Sequence, residues 1–177
     1  MRLTAPTLSD GEITVRALHE RDIPAIVAAC QDPEIPRWTR VPSPYTVEDA
    51  RQFLAIAATE AAAGQGLALA VADPDDRLIG TVGLMDVRDG QGEIGYWIAA
   101  AARGRGAAAR ATALLRDWAH AELGLHTIEV LPHRDNAPSR RAAERAGFAD
   151  TGEIRRIPRM PRGRQDGYAV YVWRSER

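Results

Sequence analysis

The amino-acid sequence predicts an α/β fold in which one mixed sheet carries helices on both faces. Three observations lead there. An alternating segment near the start is followed by two stretches of helical spacing. Three strand-like runs then succeed one another with only tight turns between them. The second half alternates strand and helix before closing on a hairpin. A meander supplies antiparallel neighbours and a strand–helix–strand crossover supplies parallel ones, so the sheet must contain both kinds.

Residues 12–18 place Ile13, Val15 and Ala17 on one side, the period of a half-buried strand. Across residues 21–31, Ile23, Ile26, Val27 and Cys30 recur at helical spacing. Pro33, Pro36, Pro42 and Pro44 then predict an irregular loop over 32–45. Thr46 with Asp49 has the form of a capping box. The helix behind it carries Ala50, Phe53, Leu54, Ala57, Ala58 and Ala61 on its apolar stripe and should stop at Gly64. Residues 67–72 and 78–87 read as strands about the Asp73-Pro74-Asp75-Asp76 turn, and an Asp89-Gly90-Gln91-Gly92 turn leads into a third at 93–99. A helix is expected from Gly106 to about Glu122, with Ala107, Ala111, Leu114, Leu115, Trp118 and Ala119 on one stripe. A short strand at 127–131, a short helix at 138–146 and strands near 150–158 and 167–174 complete the order. No repeat, low-complexity tract or linker divides the chain, so one domain over 1–177 is expected, its core about 12–174.

Composition narrows the class. The 177 residues are 45% hydrophobic and 27% charged, the balance of an ordinary globular chain. A net charge of −1 gives no global pull toward nucleic acid or an anionic membrane, so neither is an expected partner. Cys30 stands alone, which excludes an internal disulfide and fits a reducing compartment. The opening Met1-Arg2-Leu3-Thr4-Ala5-Pro6 lacks the apolar run of a secretory signal, and nothing approaches the ~18 unbroken apolar residues of a membrane span. The expected location is the cytoplasm. All 23 basic residues are arginine, which removes lysine as a Schiff base or amine nucleophile. His19, His120, His126 and His133 have no ligand-like spacing, so no metal is expected.

The most informative segment is Glu93-Ile94-Gly95-Tyr96-Trp97-Ile98 followed by Arg103-Gly104-Arg105-Gly106-Ala107-Ala108. A strand feeds a glycine-rich turn that opens a helix. The first helical turn leaves about four amide N–H groups unpaired, and with the helix dipole they favour a polyanion such as a pyrophosphate. Gly104 and Gly106 allow close approach and positive φ; Ala107 and Ala108 keep it clear; Arg103 and Arg105 add charge. The bland alternative is a helix start whose glycines serve packing. A dinucleotide site lacks its third glycine, since Ala109 stands there, and a P-loop lacks its lysine. Coenzyme A matches best among the polyanions.

With this turn in view the chain resembles the GNAT superfamily of acyl-CoA-dependent N-acetyltransferases. The family's Gln/Arg-x-x-Gly-x-Gly/Ala signature is met by Arg103, Gly106 and Ala108. The block Asn136-Ala137-Pro138-Ser139 through Ala146-Gly147-Phe148 looks like the Asn-x-x-Ser…Gly-Phe stretch of the branch that includes ribosomal-protein N-terminal acetyltransferases. Tyr96-Trp97, and Pro44-Tyr45 ahead of Glu48-Asp49-Ala50, are similar to that branch too. The resemblance implies a mostly antiparallel mixed sheet whose 93–99 and 127–131 strands run parallel and splay apart. Pantetheine would lie in that gap, against the backbone edge near Trp97, Ile98 and Ala99. Acetyl-CoA is the implied co-substrate, a peptide N-terminus or small amine the acceptor, and a homodimer a state the family suggests.

An ammonium of pKa near ~10 must lose a proton before it can attack a thioester, and Glu93 at the strand's head is the candidate base. A solvated strand-end carboxylate is the alternative for it. Amides near Trp97 to Ala99 are placed to meet the oxyanion. Many members of the family use a tyrosine seven residues after the asparagine to meet the leaving thiolate, but here that position is Ala143. Ser139 is the expected replacement, with a helix-start cap as its other reading. Asn136 is read both as a cap and as a hydrogen-bond partner for pantetheine. Trp38 and Tyr45, on the loop that borders the acceptor pocket in this family, are expected to touch the acceptor. For the arginine-rich 155–164 segment an acidic peptide, a partner subunit and plain solvation all stay open, as does a non-catalytic acyl-CoA-binding module of the same fold.

Overall fold

The computed structural model describes residues 2–175. Its strands are β1 (Leu8–Ser9), β2 (Thr14–Ala17), β3 (Leu67–Ala72), β4 (Leu78–Arg88), β5 (Gln91–Ile98), β6 (Thr127–Val130), β7 (Ala149–Arg155) and β8 (Tyr168–Arg174). The helices are α1 (Ile23–Ala29), α2 (Glu34–Trp38), α3 (Val47–Ala63), α4 (Ala107–Leu123) and α5 (Ala137–Arg145). The eight strands form one sheet in the order β1-β2-β3-β4-β5-β6-β8-β7, in which β5–β6 is the parallel pair. The α/β mixed sheet expected from the sequence is the one found.

Both faces of the sheet are covered, which is why β3 reads as an unbroken apolar run. Leu67, Leu69 and Val71 enter a core with Ala107, Ala111, Leu115 and Ala119 of α4. Ala70 points the other way, into a second core with Ile23 and Ile26 of α1 and Ala50 of α3. Strand alternation therefore assigns each residue of the neighbouring β5 to one side or the other. Ile94, Tyr96 and Ile98 face α4, and Trp97 packs among the residues beneath α1 and α3.

Local chemistry explains most of the boundaries. Thr46 and Asp49 form the reciprocal capping box at α3, and Gly64 ends that helix in the left-handed conformation. The β4–β5 turn is Asp89-Gly90 alone, both at positive φ, so β5 begins at Gln91 rather than at Glu93. Residues 32–45 are not wholly irregular: they contain α2. Pro33 sits at its N-cap and Pro36 within its first turn, where the missing N–H would have lacked a partner anyway. The two-residue β1 was not expected. On the outer flank, Arg16 (7% exposed) reaches Asp22 through two hydrogen bonds of 2.9 and 3.0 Å and also binds Asp76. This tie pins β2 to the β3–β4 turn. Among the described residues no helix is long and apolar enough to cross a membrane.

Candidate active site

The parallel pairing of β5 with β6 lasts for three residues, Gln91 with Thr127, Gly92 with Ile128 and Glu93 with Glu129. Beyond Glu93 the strands separate. Beside the point of parting, β4 carries a register shift between Met85 and Arg88, with Asp86 at φ 51°, and such bulges increase local twist. Past its end the β6 chain follows β8 instead, where the Ala169 N–H donates to the Pro132 carbonyl at 2.9 Å. A cleft of about 500 Å³ occupies the region, and Glu93, Trp97, Asn136, Ser139, Trp38 and Tyr45 all line it.

Register decides which backbone groups of β5 are open to this gap. The Ala99 N–H donates to the Ile79 carbonyl at 2.8 Å, and the Ala99 carbonyl accepts from Ala102. Alternation then commits Trp97 to β4 as well and turns Ile94, Tyr96 and Ile98 toward the gap. Of the Trp97, Ile98 and Ala99 positions expected from the sequence, Ile98 lies on the open edge, and Trp97 and Ala99 are turned to β4. The Ile98 carbonyl on that edge already accepts the Arg103 Nε–H at 2.9 Å.

Glu93 projects from β5 with its side chain only 12% exposed and is paired with Arg159. Burial raises its pKa above the ordinary carboxylate value; Arg159 opposes that rise, while Asp86 and Glu129 add to it. A carboxylate held this way is a better proton acceptor near neutrality than a solvated one. Trp38 and Tyr45 line the cleft, Trp38 against His133 and Tyr45 from the core beneath α1 and α3. The Trp38 Nε1–H is bound to Glu34 at 3.0 Å, and burial pushes the Tyr45 phenol up to about 12.

Across the gap, Asn136 caps α5 by accepting the Ser139 N–H at 3.2 Å. Ser139 is half-buried, with its Oγ 2.9 Å from the Tyr96 hydroxyl, which also lies 3.0 Å from the Ser139 carbonyl. Ala143 is fully buried in the α4-side core and does not line the cleft. Tyr96 is a residue that sequence reasoning passed over as a site residue, although a phenol on the face alternating with Ile94 and Ile98 was a usable signal. His133 was missed too. Its ring packs 5.4 Å from both Trp38 and Tyr168, in the cleft wall.

The glycine-rich turn lies outside this cleft, beside a shallower groove lined by Gly104, Arg105, Gly106, Arg110 and Arg145. Gly104 and Gly106 have φ of 78° and 79°, and a Cβ at Gly104 would meet nothing within 4 Å, so the approach to the turn is open. Ala107 is N1 and Ala108 N2 of α4, with Gly106 as its N-cap. Arg103 is turned away from this opening: besides holding Ile98, it pairs with Asp32 at 2.7 Å. It fastens the turn to the chain after α1. Arg105 is exposed, with no carboxylate partner among the described residues.

The arginine-rich segment between β7 and β8 lines the cleft on one side while most of its residues stay exposed. Ile157, Arg159 and Met160 line it, and Arg164 donates to the Pro36 and Arg37 carbonyls of α2. Arg155 pairs with Glu129 and Glu153, and Arg156 with Asp166. Among the described residues no cluster of three metal-ligating side chains occurs.

Comparison with known proteins identifies the family and the fold. The uncharacterized N-acetyltransferase p20 of Bacillus licheniformis is 28% identical over 153 residues, covering 84% of this chain and 85% of its own. Two solved structures share the fold. RimJ of Mycobacterium smegmatis, in complex with CoA-disulfide, superposes with a TM-score of 0.82 at 20% identity, covering 97% of this chain and 87% of its own. The ribosomal-protein-S5-alanine acetyltransferase of Vibrio fischeri gives 0.82 at 18% identity, with 97% of each chain covered. The acetyltransferase (GNAT) domain family matches residues 12–149. In sequence and in fold, therefore, this chain belongs to the GNAT family of acyl-CoA-dependent acetyltransferases.

Proposed function

We propose that the chain moves the acetyl group of acetyl-CoA directly onto a primary amine, at a protein N-terminus or on a small molecule. One observation carries the reading: the candidate base and the candidate thiolate partner flank the same gap from opposite faces of the sheet. Glu93 lies on the side of α1 and α3, and Ser139 on the side of α4 and α5. A carbonyl held in the gap is then open to an amine on one side and sheds its thiolate toward the other.

Each residue has a part in that transfer. The amides of residues 104–108, with Arg105, grip the pyrophosphate, and Arg103 braces the turn. Ile98 and its neighbours on the open edge hydrogen-bond pantetheine, with Trp97 and Ala99 supporting that edge from within the sheet. The Asn136 amide, while capping α5, turns its N–H₂ toward the same chain. Glu93 takes the amine's proton directly or through water, an edge N–H meets the oxyanion, and Ser139 hydrogen-bonds the leaving sulfur. Trp38 and Tyr45 bound the space for the acceptor. A covalent acyl-enzyme is disfavoured, because Cys30 is 3% exposed with burial pushing its thiol up to about 12. The coenzyme and ribosomal-protein acceptors named for the structural relatives support peptide N-termini as the first acceptors to test.

The test is thiol release from acetyl-CoA across peptides varied at the first residue, polyamines, aminoglycosides and amino acids, beside melting curves with coenzyme A, ATP or NAD. At a hundredfold excess over Kd a ligand adds roughly 2.7 kcal/mol of apparent stability. Turnover of at least one amine class with stabilisation by coenzyme A is expected. No turnover by any amine, with coenzyme A leaving the melting temperature unchanged, defeats the proposal.

A further inference from the structure

Three places in the molecule hold polar groups that the proposed transfer does not use: the buried Arg16–Asp22 tie, the Arg164 contact over α2, and the Tyr96 hydroxyl against Ser139. The first is structural and far from the cleft, and the second belongs to the roof of the acceptor side. The third sits where the chemistry needs a donor.

Ser139 alone is a poor partner for a leaving thiolate, because an aliphatic hydroxyl is a weak acid and its single proton can point several ways. The Tyr96 phenol changes both conditions. It arrives from β5, on the sheet face opposite Glu93 and Trp97, with its oxygen 2.9 Å from Ser139 Oγ and 3.0 Å from the Ser139 carbonyl. Burial pushes its pKa up to about 12, partly offset by the Ser139 hydrogen bond, so it keeps its proton at neutral pH. The Ser139 carbonyl has a helical N–H within α5 as its partner in any case. Two arrangements of the same heavy atoms are therefore open. In one, Tyr96 donates to the Ser139 carbonyl and Ser139 donates to Tyr96, which turns the serine's proton away from the gap. In the other, Tyr96 donates to Ser139 Oγ and leaves the serine's proton to face the gap. Only two hydroxyl rotations separate them.

Resting on the role proposed for Ser139, we infer that Tyr96 is the positioning residue for thiolate departure. As negative charge grows on sulfur, the second arrangement takes over: Tyr96 donates to Ser139 Oγ and Ser139 donates to sulfur. Accepting one hydrogen bond makes a hydroxyl a better donor of the next. The balance of the step is simple. An ammonium first loses one proton through Glu93 to solvent; the N–C bond then forms, the C–S bond breaks with its electron pair going to sulfur, the second nitrogen proton passes to Glu93, and the thiolate is protonated by water after release. Tyr96 surrenders no proton. The phenol thus supports from a strand a thiolate contact that Ala143, on the buried face of α5, does not supply from a helix.

The experiment compares Tyr96→Phe, Ser139→Ala and the double variant in two readouts. In acetyl transfer, Y96F is expected to lower kcat about tenfold with KM for acetyl-CoA within about twofold, and the double variant to be no slower than S139A. A packing role for Tyr96 predicts a loss that persists on the S139A background, and that result overturns the inference, as does wild-type kcat in Y96F. The second readout needs no amine: titration of the thiol of bound coenzyme A, followed by thiolate absorbance. The thiol should ionise at the lowest pH in the wild type and at higher pH in Y96F, with S139A at or above Y96F. If bound coenzyme A titrates alike in all three proteins, the inference falls even where acetyl transfer is intact. If it titrates as expected while no amine is acetylated, the acceptor reading falls and the inference stands.

Discussion

Glutamine in place of Glu93 keeps the shape and reach of the side chain but cannot take a proton. A positioned general base contributes about 10²–10⁴-fold, or roughly 3–5 kcal/mol at 1.36 kcal/mol per decade. Two features of the site favour the middle or upper part of that range. The side chain is 12% exposed, so bulk water has little access to serve in its place. Its pKa is raised by burial, with Arg159 opposing, which brings the base closer to working pH, where such catalysis is most effective. We expect E93Q to lower kcat/KM about 10³-fold. The fold should tolerate the change. Arg159 is 34% exposed at the side chain, with Asp86 3.9 Å away as a second partner, so the lost pair costs no more than about 1 kcal/mol after solvent screening. The sign of the pH effect follows from the raised value. A carboxyl that ionises less readily in the folded chain favours folding while protonated and loses that contribution as pH rises through its folded pKa. E93Q should therefore gain stability relative to wild type on the alkaline side. The assay is thiol release from acetyl-CoA over a range of pH, with chemical denaturation alongside. Wild type should show an acid limb above the ordinary carboxylate range, and E93Q should lack it. An E93Q protein within about threefold of wild type, with the same limb, would refute the assignment of the base.

Three further outcomes can be checked on the same preparation. Arg159→Met removes the charge that opposes burial at Glu93, so the acid limb of the kcat/KM profile should move to higher pH. Gly106→Ala places a Cβ in a φ of +79° where the nearest atom is Arg110 Nε at 3.9 Å, so its cost is conformational, about 1–2 kcal/mol. Coenzyme A affinity, read by calorimetry, should fall about tenfold. Asp22→Asn leaves Arg16 with half of its buried pairing and should cost about 3 kcal/mol in denaturant unfolding. Burial pushes Asp22 up, but the hydrogen bonds and charge of Arg16 hold it below the usual carboxylate range. Its stabilising contribution is present above the unfolded value and is lost as pH falls through the folded one, so wild type and D22N should converge in acid.

Much of this molecule was readable from residue order, and the exceptions share a cause. The Thr46–Asp49 box, the stop at Gly64 and the turn glycines are local signals, set by neighbours within a few residues. The helix α2 was hidden because Pro33 and Pro36 were counted as breakers, although both fall where a helix tolerates them. Arg103 reads as a charge for phosphate, yet its partners are Ile98 and Asp32, the latter brought near only by the chain's return after α1. Likewise, the parity of the β5 edge is fixed by β4, so no inspection of residues 93–99 alone could choose between Ile98 and Ala99. Glu93 and Ser139 could be named one at a time. Their approach to one gap from opposite faces, and the arrival of Tyr96 and Arg159 beside them, are products of tertiary folding.

The Arg164 bridge to the α2 carbonyls joins two segments, 32–45 and 156–167, that are far apart in the chain yet line one cleft together. Neither belongs to β5, β6, α4 or α5. Diversification can therefore recut the mouth, provided both halves change as a matched set and keep Arg159 against Glu93 and Asp32 against Arg103. Grafting the two segments jointly from another protein of this fold should transplant a preference for amines, whereas grafting either alone would break the seam between them.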